Sequence, residues 1–232
     1  MKTNKTYEIN KSSNGLYQII INSKIIKTPL GKNLDIPSRK VANAILKNLK
    51  KSKKNVLVSE FKITCTAIDK IALSKKQYLD NLLLILQTDV ILFFSENQID
   101  LYNKQKKLWT PLIIWMKERF ELDLSYSKNL NITLLSDKNL KKIKNFINSL
   151  NNYELSALIS LTDITNSLII SLALFESKIS YKKAFDLSFL EELYQISIWG
   201  KDVEALDRLD SIKLDIKCVK DYFDSIVMKK LV

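Results

Sequence analysis

The strongest candidates for chemistry in this sequence are carboxylates near its C-terminal end. Two of them are adjacent, and four more follow shortly after: Glu191 and Glu192, then Asp202, Glu204, Asp207 and Asp210. Paired carboxylates can act as general acid and base where their surroundings separate their pKa values. Acids on an exposed helix face are far commoner, and the sequence contains no histidine, which excludes Ser-His-Asp and Cys-His catalysis. The chain is therefore predicted not to be an enzyme, with catalysis by the acidic cluster as the minor alternative.

The composition also argues against a cofactor or a metal. With only 3 glycines, the chain can hardly build a glycine-rich phosphate loop. The two cysteines, Cys65 and Cys218, lie far apart and have no metal-ligand spacing. We expect no catalytic residues, no cofactor and no metal site, and cysteines that stay reduced.

The net charge of the chain is strongly positive, at +12. Basic proteins attract nucleic acids, membrane surfaces or acidic proteins. Nearly all of this charge is on scattered lysines, whereas proteins that read phosphates favour arginine. A solvated lysine-rich surface is the first interpretation, and a nucleic-acid-binding protein is the alternative. The longest apolar stretch, residues 168–175, is too short to span a bilayer, so no stable membrane insertion is expected.

Four residues near the acids have the spacing of a single helical face. They are Glu192, Gln195, Trp199 and Asp202, separated by three, four and three positions. If the helix continues through Gly200, they form one stripe, and a tryptophan ringed by polar groups is typical of a protein-binding hot spot. In the alternative interpretation Trp199 belongs to the core, the acids are solvated or cap a helix, and Glu204 pairs with Arg208 one turn on.

The elements that must position these residues begin with strands. Residues 16–21 and 24–28 are rich in β-branched side chains, and Asn22-Ser23 between them predicts a two-residue hairpin turn. Ser38 is predicted to cap a helix that ends near Leu49. A lysine run at 47–54 is interpreted as a solvated helix end and loop.

Helical periodicity takes over in the middle of the chain. Residues 64–86 predict one long helix, within which Thr66 and Asp69 are interpreted as capping residues. The apolar run at 90–94 fits a strand or a buried helix equally well. Thr110-Pro111 is a helix-start signal within the segment 105–120.

The fold class predicted from these segments is α+β. One more strand is expected at 131–135, and every later segment is predicted to be helical: 140–150, 153–161, 166–175, 185–199, 203–209 and 219–227. An N-terminal α/β part with antiparallel hairpin strands and helices is thus followed by a C-terminal all-helical, orthogonal bundle. The predicted domains are 1–130 and 131–232, with the boundary between about 120 and 140.

Two tryptophan motifs resemble a known family of assembly chaperones. Gln105, Trp109, Pro111, Leu112 and Trp115 fit the pattern Q-x-x-x-W-x-P-L-x-x-W. Glu192, Gln195, Trp199, Gly200, Asp202, Glu204 and Ala205 fit E-x-x-Q-x-x-x-W-G-x-D-x-E-A. Both patterns resemble those of the chaperones for the alpha subunit of the catalytic sector of F-type ATP synthase.

Weaker matches to the same family lie in the same order along the chain. They are the hairpin through Thr28-Pro29, the Thr66-Ala67-Ile68-Asp69 segment, Thr88-Asp89-Val90-Ile91, and Ser167-Leu168-Ile169 through Leu174. At the hairpin turn Asn22-Ser23 replaces the family's Asp-Gly, and Asn166 replaces the glycine before Ser167. Together the matches cover roughly residues 16–210.

The resemblance implies a function that the composition does not. Members of this family bind the newly made alpha subunit, shield the surface it will present to the beta subunit, and then yield to beta, without a nucleotide. It further implies that Glu204 is linked to function. The predicted partner-binding residues are Glu192, Gln195, Trp199, Asp202 and Glu204, and the free chain is expected to be a monomer. Because the N-terminus lacks signal-peptide and transit-peptide features, we expect a bacterial cytoplasmic protein, or a mitochondrial matrix protein if the source is eukaryotic.

Overall fold

The computed structural model describes residues 6–50, 59–126, 135–200 and 202–227. The chain begins with a three-stranded antiparallel sheet of order β1-β2-β3. Its strands are β1 (Tyr7–Lys11), β2 (Tyr17–Ile21) and β3 (Lys24–Ile25). Most of the predicted lysine loop after residue 50 and most of the strand predicted at 131–135 lie outside the described residues.

The turn between β2 and β3 is the predicted two-residue hairpin. Asn22 and Ser23 both have positive φ, at 49° and 63°, as a type I′ turn requires. Ile21 pairs with Lys24 across the turn. Asn22 also fastens the start of β1, because its Oδ1 accepts a hydrogen bond from the Thr6 N–H at 3.1 Å.

Helices form most of the rest of the described chain, together with a π-helical segment at Ala67–Ile71 and a 3-10 turn at Val90–Leu92. Their bounds are α1 (Arg39–Lys50), α2 (Glu60–Thr66), α3 (Ala72–Gln87), α4 (Ile99–Phe120), α5 (Asp137–Ser149), α6 (Asn152–Thr165), α7 (Leu168–Phe175), α8 (Tyr181–Ser188), α9 (Leu190–Trp199) and α10 (Val203–Val227). The predicted cap of α1 is confirmed, since Ser38 Oγ accepts from the Val41 N–H at 3.2 Å. The prediction of an α+β chain with a helical C-terminal part is confirmed.

The segment predicted as one long helix over 64–86 is helical in the structure, but it is divided into α2, a π-helical segment and α3. The helix starts earlier, at Glu60, because Ser59 Oγ accepts from the Lys62 N–H at 3.3 Å. It then widens into the π-helical segment before α3. Ser74 departs from helical geometry, with φ −141° and ψ 38°.

The interpretation of Thr110-Pro111 as a helix start is also wrong. Both residues lie inside α4, and the Thr110 hydroxyl is buried with no hydrogen-bond partner among the described residues. A proline inside a helix costs about 3 kcal/mol. The turns before it bury Leu101, Gln105 and Trp109, and this burial offsets that cost.

Two of the predicted C-terminal segments are divided differently in the structure. Residues 185–199 are not one helix, because α8 and α9 meet at Phe189, where φ is −108° and ψ is 22°. Residues 203–209 and 219–227 belong to a single helix, α10. The intervening turns stay helical because Leu209, Ile216 and Val219 continue one buried stripe.

The described chain divides into two compact units, each built from separated segments. The first comprises Met1–Lys75, Asn151–Ser160 and Cys218–Val232, and the second comprises Lys76–Leu150 and Leu161–Lys217. The domain boundary predicted between 120 and 140 stays a prediction, since residues 127–134 lie outside the described ones.

Each unit has its own apolar core. In the first, α1 packs on β2 and buries Ile19, Ile36 and Ile45 almost completely. In the second, every residue of α7 is buried, and α7 packs against α4 and α8, as its all-round apolar sequence predicts. Among the described helices, none combines the length and the apolar character needed to cross a membrane.

Candidate partner-binding site

The predicted site lies where α9 ends and α10 begins. Gly200 stops α9: its φ of 103° and ψ of 172° are accessible essentially to glycine alone, and its N–H donates to the Ile196 carbonyl at 3.1 Å. The helix therefore does not continue through Gly200, the condition on which the single stripe depended, whereas the predicted end of a helical segment at Trp199 is confirmed. Glu192, Gln195 and Trp199 share a face of α9, but Asp202 does not lie on that helix.

Asp202 instead caps α10. Its carbonyl accepts the first intrahelical bond, from the Leu206 N–H at 3.1 Å, and its Oδ1 accepts from the Glu204 N–H at 3.1 Å. This is the geometry of an N-cap residue, typically worth about 1 kcal/mol. Glu204 lies exposed in the first turn of α10, where a negative charge is favoured by the helix dipole.

Arg208 pairs with Glu192 and not with Glu204, which corrects the one-turn pairing considered from the sequence. Both side chains are partly exposed, so the ion pair contributes less than about 1 kcal/mol. Its structural effect is to connect α9 with α10. In the described part of the chain, no cation lies within ion-pair distance of the Glu204 carboxylate.

Trp199 is the most exposed large hydrophobic residue described, at 86%. The alternative that placed it in the core is wrong. Two exposed apolar neighbours accompany it along the chain, Ile198 at 56% and Val203 at 73%. These three residues are called the corner patch below. Exposed large apolar side chains at neighbouring positions of the sequence are candidates for protein association.

The first tryptophan motif positions α8 and α9. Gln105 is fully buried on α4, where its Oε1 accepts from the Ser95 N–H at 2.6 Å and its Nε2 donates to Glu191 Oε1 at 2.6 Å. One turn on, the Trp109 indole N–H donates to the Leu187 carbonyl at 3.1 Å. Sequence reasoning missed this role, and the only signal for it was the four-residue spacing that puts Gln105 and Trp109 on one face.

Asp69 holds the hairpin connection of the first unit. It is buried, its Oδ1 accepts from the Thr28 hydroxyl at 2.7 Å, and its Oδ2 accepts from the Leu30 N–H at 3.2 Å. The Asp69 carboxylate therefore binds the hairpin connection and does not cap a helix. The expectation that Thr66 and Asp69 cap a helix is wrong. The π-helical segment that contains Asp69 faces the loop that follows β3.

Asp89 has a corresponding role in the second unit. It is fully buried, and its two oxygens accept from the Ile91 N–H at 3.3 Å and the Ile169 N–H at 3.0 Å. Burial raises its pKa to about 6, although hydrogen bonds from Ser167 and from these backbone amides act in the opposite direction. Asp89 thus connects the 3-10 turn at Val90–Leu92 to the N-terminus of α7.

These contacts separate the motif residues into two groups. Asp69, Asp89, Gln105 and Trp109 are buried, and their hydrogen bonds give them a structural role. Gln195, Trp199 and Glu204 are exposed, and no such contact accounts for them in the described structure. Nor do the described residues include a cluster of acids and cysteines that could hold a metal ion. An exposed tryptophan and an exposed glutamate are side chains suited to binding a protein surface.

Comparison with known proteins gives the family. The family model described as ATP12 chaperone protein matches residues 2–117, half of the chain. This chain belongs to the ATP12 chaperone family. The matched residues include the hairpin, Asp69, Asp89 and the first tryptophan motif, whereas the corner patch lies beyond them.

Related ATP12 proteins and solved structures match this chain over nearly its whole length. The mitochondrial protein atp12 of Schizosaccharomyces pombe is 25% identical over 92% of this chain and 81% of its own length. Among solved structures, the Atu1473 protein of Agrobacterium tumefaciens has a TM-score of 0.87 at 23% identity, covering 96% of this chain and 84% of that one. Atp12 of Paracoccus denitrificans has a TM-score of 0.82 at 23% identity, covering 95% and 96%. These structures share the fold.

Proposed function

We propose that this chaperone assists assembly of the F-type ATP synthase by binding the unassembled alpha subunit of the catalytic sector. Family membership supports a chaperone role, and the exposed Trp199 is the observation that carries the choice of surface. An exposed apolar subunit interface promotes aggregation. A chaperone that covers this interface can therefore keep the alpha subunit soluble without any further activity. No bond is made or broken and no nucleotide is needed.

The proposed contact surface is the end of α9 and the start of α10. Trp199 inserts into an apolar hollow of the alpha subunit, with Ile198 and Val203 completing the contact. At the edge of this contact, Glu204 forms an ion pair with a cationic residue of the alpha subunit. Glu192 and Asp202 hold the shape of the surface, because one forms an ion pair with α10 and the other caps it.

Release follows from competition. The beta subunit displaces the chaperone if it binds the same face of the alpha subunit more favourably in the assembled ring. The chain acts in the compartment where the catalytic sector is assembled, which is the bacterial cytoplasm or the mitochondrial matrix.

Co-expression tests the proposal. The chain is produced with its cognate alpha subunit, and the amount of alpha in the supernatant is measured with and without beta, at two salt concentrations. We expect a one-to-one complex with alpha that disappears when beta is added. If alpha stays insoluble and the chain elutes with nucleic acid at low salt, the proposal is abandoned. The +12 charge would then favour a nucleic-acid-binding protein.

A charge reversal tests the surface. Glu204→Lys should lower the yield of soluble alpha, because it replaces the acid at the edge of the patch with a cation. Glu118→Lys makes the same charge change at an exposed position of α4 and should leave the yield unchanged. Equal yields from the two variants would remove Glu204 from the contact surface.

A further inference from the structure

A second candidate surface lies in the second unit, away from the corner patch in the sequence. It is a cavity of about 240 Å³ formed by α4, the connection between α7 and α8, and α8. Its lining residues are Lys107, Leu108, Pro111, Leu112, Lys178, Ile179, Lys183 and Leu187. It is called the Pro111 cavity below.

The Pro111 cavity combines an apolar interior with a cationic rim. Three of its lining residues are lysines, Lys107, Lys178 and Lys183, and none is acidic. Across the described part of the chain, no carboxylate lies within ion-pair distance of these three ammonium groups. Three uncompensated positive charges around an apolar hollow favour a ligand that has an apolar group flanked by negative charges.

The size of the cavity limits what can occupy it. Sites for drug-sized molecules and cofactors usually measure about 300–1,000 Å³. The Pro111 cavity, at about 240 Å³, is smaller than this and suits one or two amino-acid side chains.

We propose that the Pro111 cavity binds an acidic segment of the alpha subunit, with one apolar side chain inserted and its neighbouring carboxylates on the three lysines. This inference rests on the proposed function for the identity of the client. The cavity gives the chaperone a second contact, whose lysine rim is opposite in charge to Glu204, the acid that follows the corner patch in the sequence.

Site-specific crosslinking tests the contact directly. A photoreactive benzoylphenylalanine replaces the half-buried Leu108, and the chain is co-expressed with the alpha subunit and irradiated. We expect a crosslink to alpha, mapped by mass spectrometry to a segment in which an apolar residue is flanked by Asp or Glu. The control places the crosslinker at Leu84, which is 61% exposed on α3. A crosslink at 108 to a segment without acids, or none in a complex that forms, overturns the inference.

Two variants test the energetics. Reversing two rim charges, with Lys107→Glu and Lys183→Glu together, should weaken binding of alpha about tenfold and reduce its salt dependence. The matched control is Lys141→Glu with Lys144→Glu, two exposed lysines of α5, which should bind as the unaltered chain does. Leu108→Trp fills the cavity without changing charge and should weaken binding to a similar extent.

The outcomes separate the two proposals. If the unaltered chain does not hold alpha in solution, the proposed function fails and this inference fails with it. If the complex forms, and both the charge reversal and Leu108→Trp leave its affinity within about twofold of the control, only the cavity is eliminated. Circular dichroism of each variant establishes that it is folded.

Discussion

Replacing Asp89 with asparagine should change how the free energy of unfolding depends on pH. Asp89 is fully buried, and burial raises its pKa from 3.8 to about 6. Between these two values the folded chain keeps the proton while the unfolded chain has released it. The contribution of Asp89 to stability is therefore full below pH 3.8 and is lost as the pH rises through 6.

The size of this effect follows from the pKa values. A rise from 3.8 to about 6 corresponds to about 3 kcal/mol of unfolding free energy. Asparagine does not titrate. The difference in unfolding free energy between the unaltered chain and Asp89→Asn, taken as unaltered minus variant, should therefore fall by about 3 kcal/mol between pH 3.5 and pH 7. Because an amide NH₂ cannot accept from the Ile91 or Ile169 N–H, the variant also carries a pH-independent cost of about 1–3 kcal/mol.

Urea unfolding at several pH values, followed by tryptophan fluorescence and circular dichroism, measures this difference. Asp123→Asn, an exposed acid in the same unit, serves as the control and should show a nearly constant difference from the unaltered chain. Carbon-13 NMR of the Asp89 carboxyl group should give a midpoint near 6. A free-energy difference that is constant with pH, or that grows as the pH rises, would refute the reasoning.

Three further predictions concern buried contacts. Asp69→Ala should lower the free energy of unfolding by about 2–4 kcal/mol because Thr28 loses its acceptor, and a loss under about 0.5 kcal/mol in urea would contradict this. Trp109→Phe should cost about 2–3 kcal/mol, since it removes the bond to the Leu187 carbonyl and leaves a gap; unchanged stability would contradict it. Burial raises the pKa of the Cys65 thiol to about 12, so iodoacetamide at pH 8 should modify Cys65 only in urea; mass spectrometric detection of native labelling would overturn this.

Features set by neighbouring residues could be predicted from the sequence. The hairpin at Asn22-Ser23 is predictable because two residues alone must adopt positive φ. The cap at Ser38 depends on an amide three residues away. The central helix α7 is predicted because its sequence is apolar on every side. In each case the physical cause lies within one or two turns of chain.

Features that depend on distant residues could not be predicted in this way. The bond from Gln105 to Glu191 and the bond from the Ile169 amide to Asp89 each join residues far apart in sequence. The same limit explains the error at Pro111, where burial of earlier turns of α4 outweighs a local start signal.

The sequence offers candidate site residues, whose role in binding stays a prediction, but it does not give their arrangement. A single stripe of these residues requires a helix through Gly200, where the backbone turns instead. Exposure of Trp199 could not be deduced either, because a large aromatic residue at helical spacing is ordinarily buried. The structure changes the roles accordingly: Asp202 becomes a cap, and Trp199 becomes the exposed candidate for contact.

The affinity of Trp199→Ala for the alpha subunit tests the central claim most directly. A tagged chain is titrated against alpha released from the co-expressed complex, and Leu84→Ala, a truncation of another exposed apolar residue, is the control. Loss of a hot-spot tryptophan costs about 2 kcal/mol or more, so binding should weaken at least about thirtyfold while the urea midpoint stays the same. Equal affinity of the two variants for alpha would contradict the account.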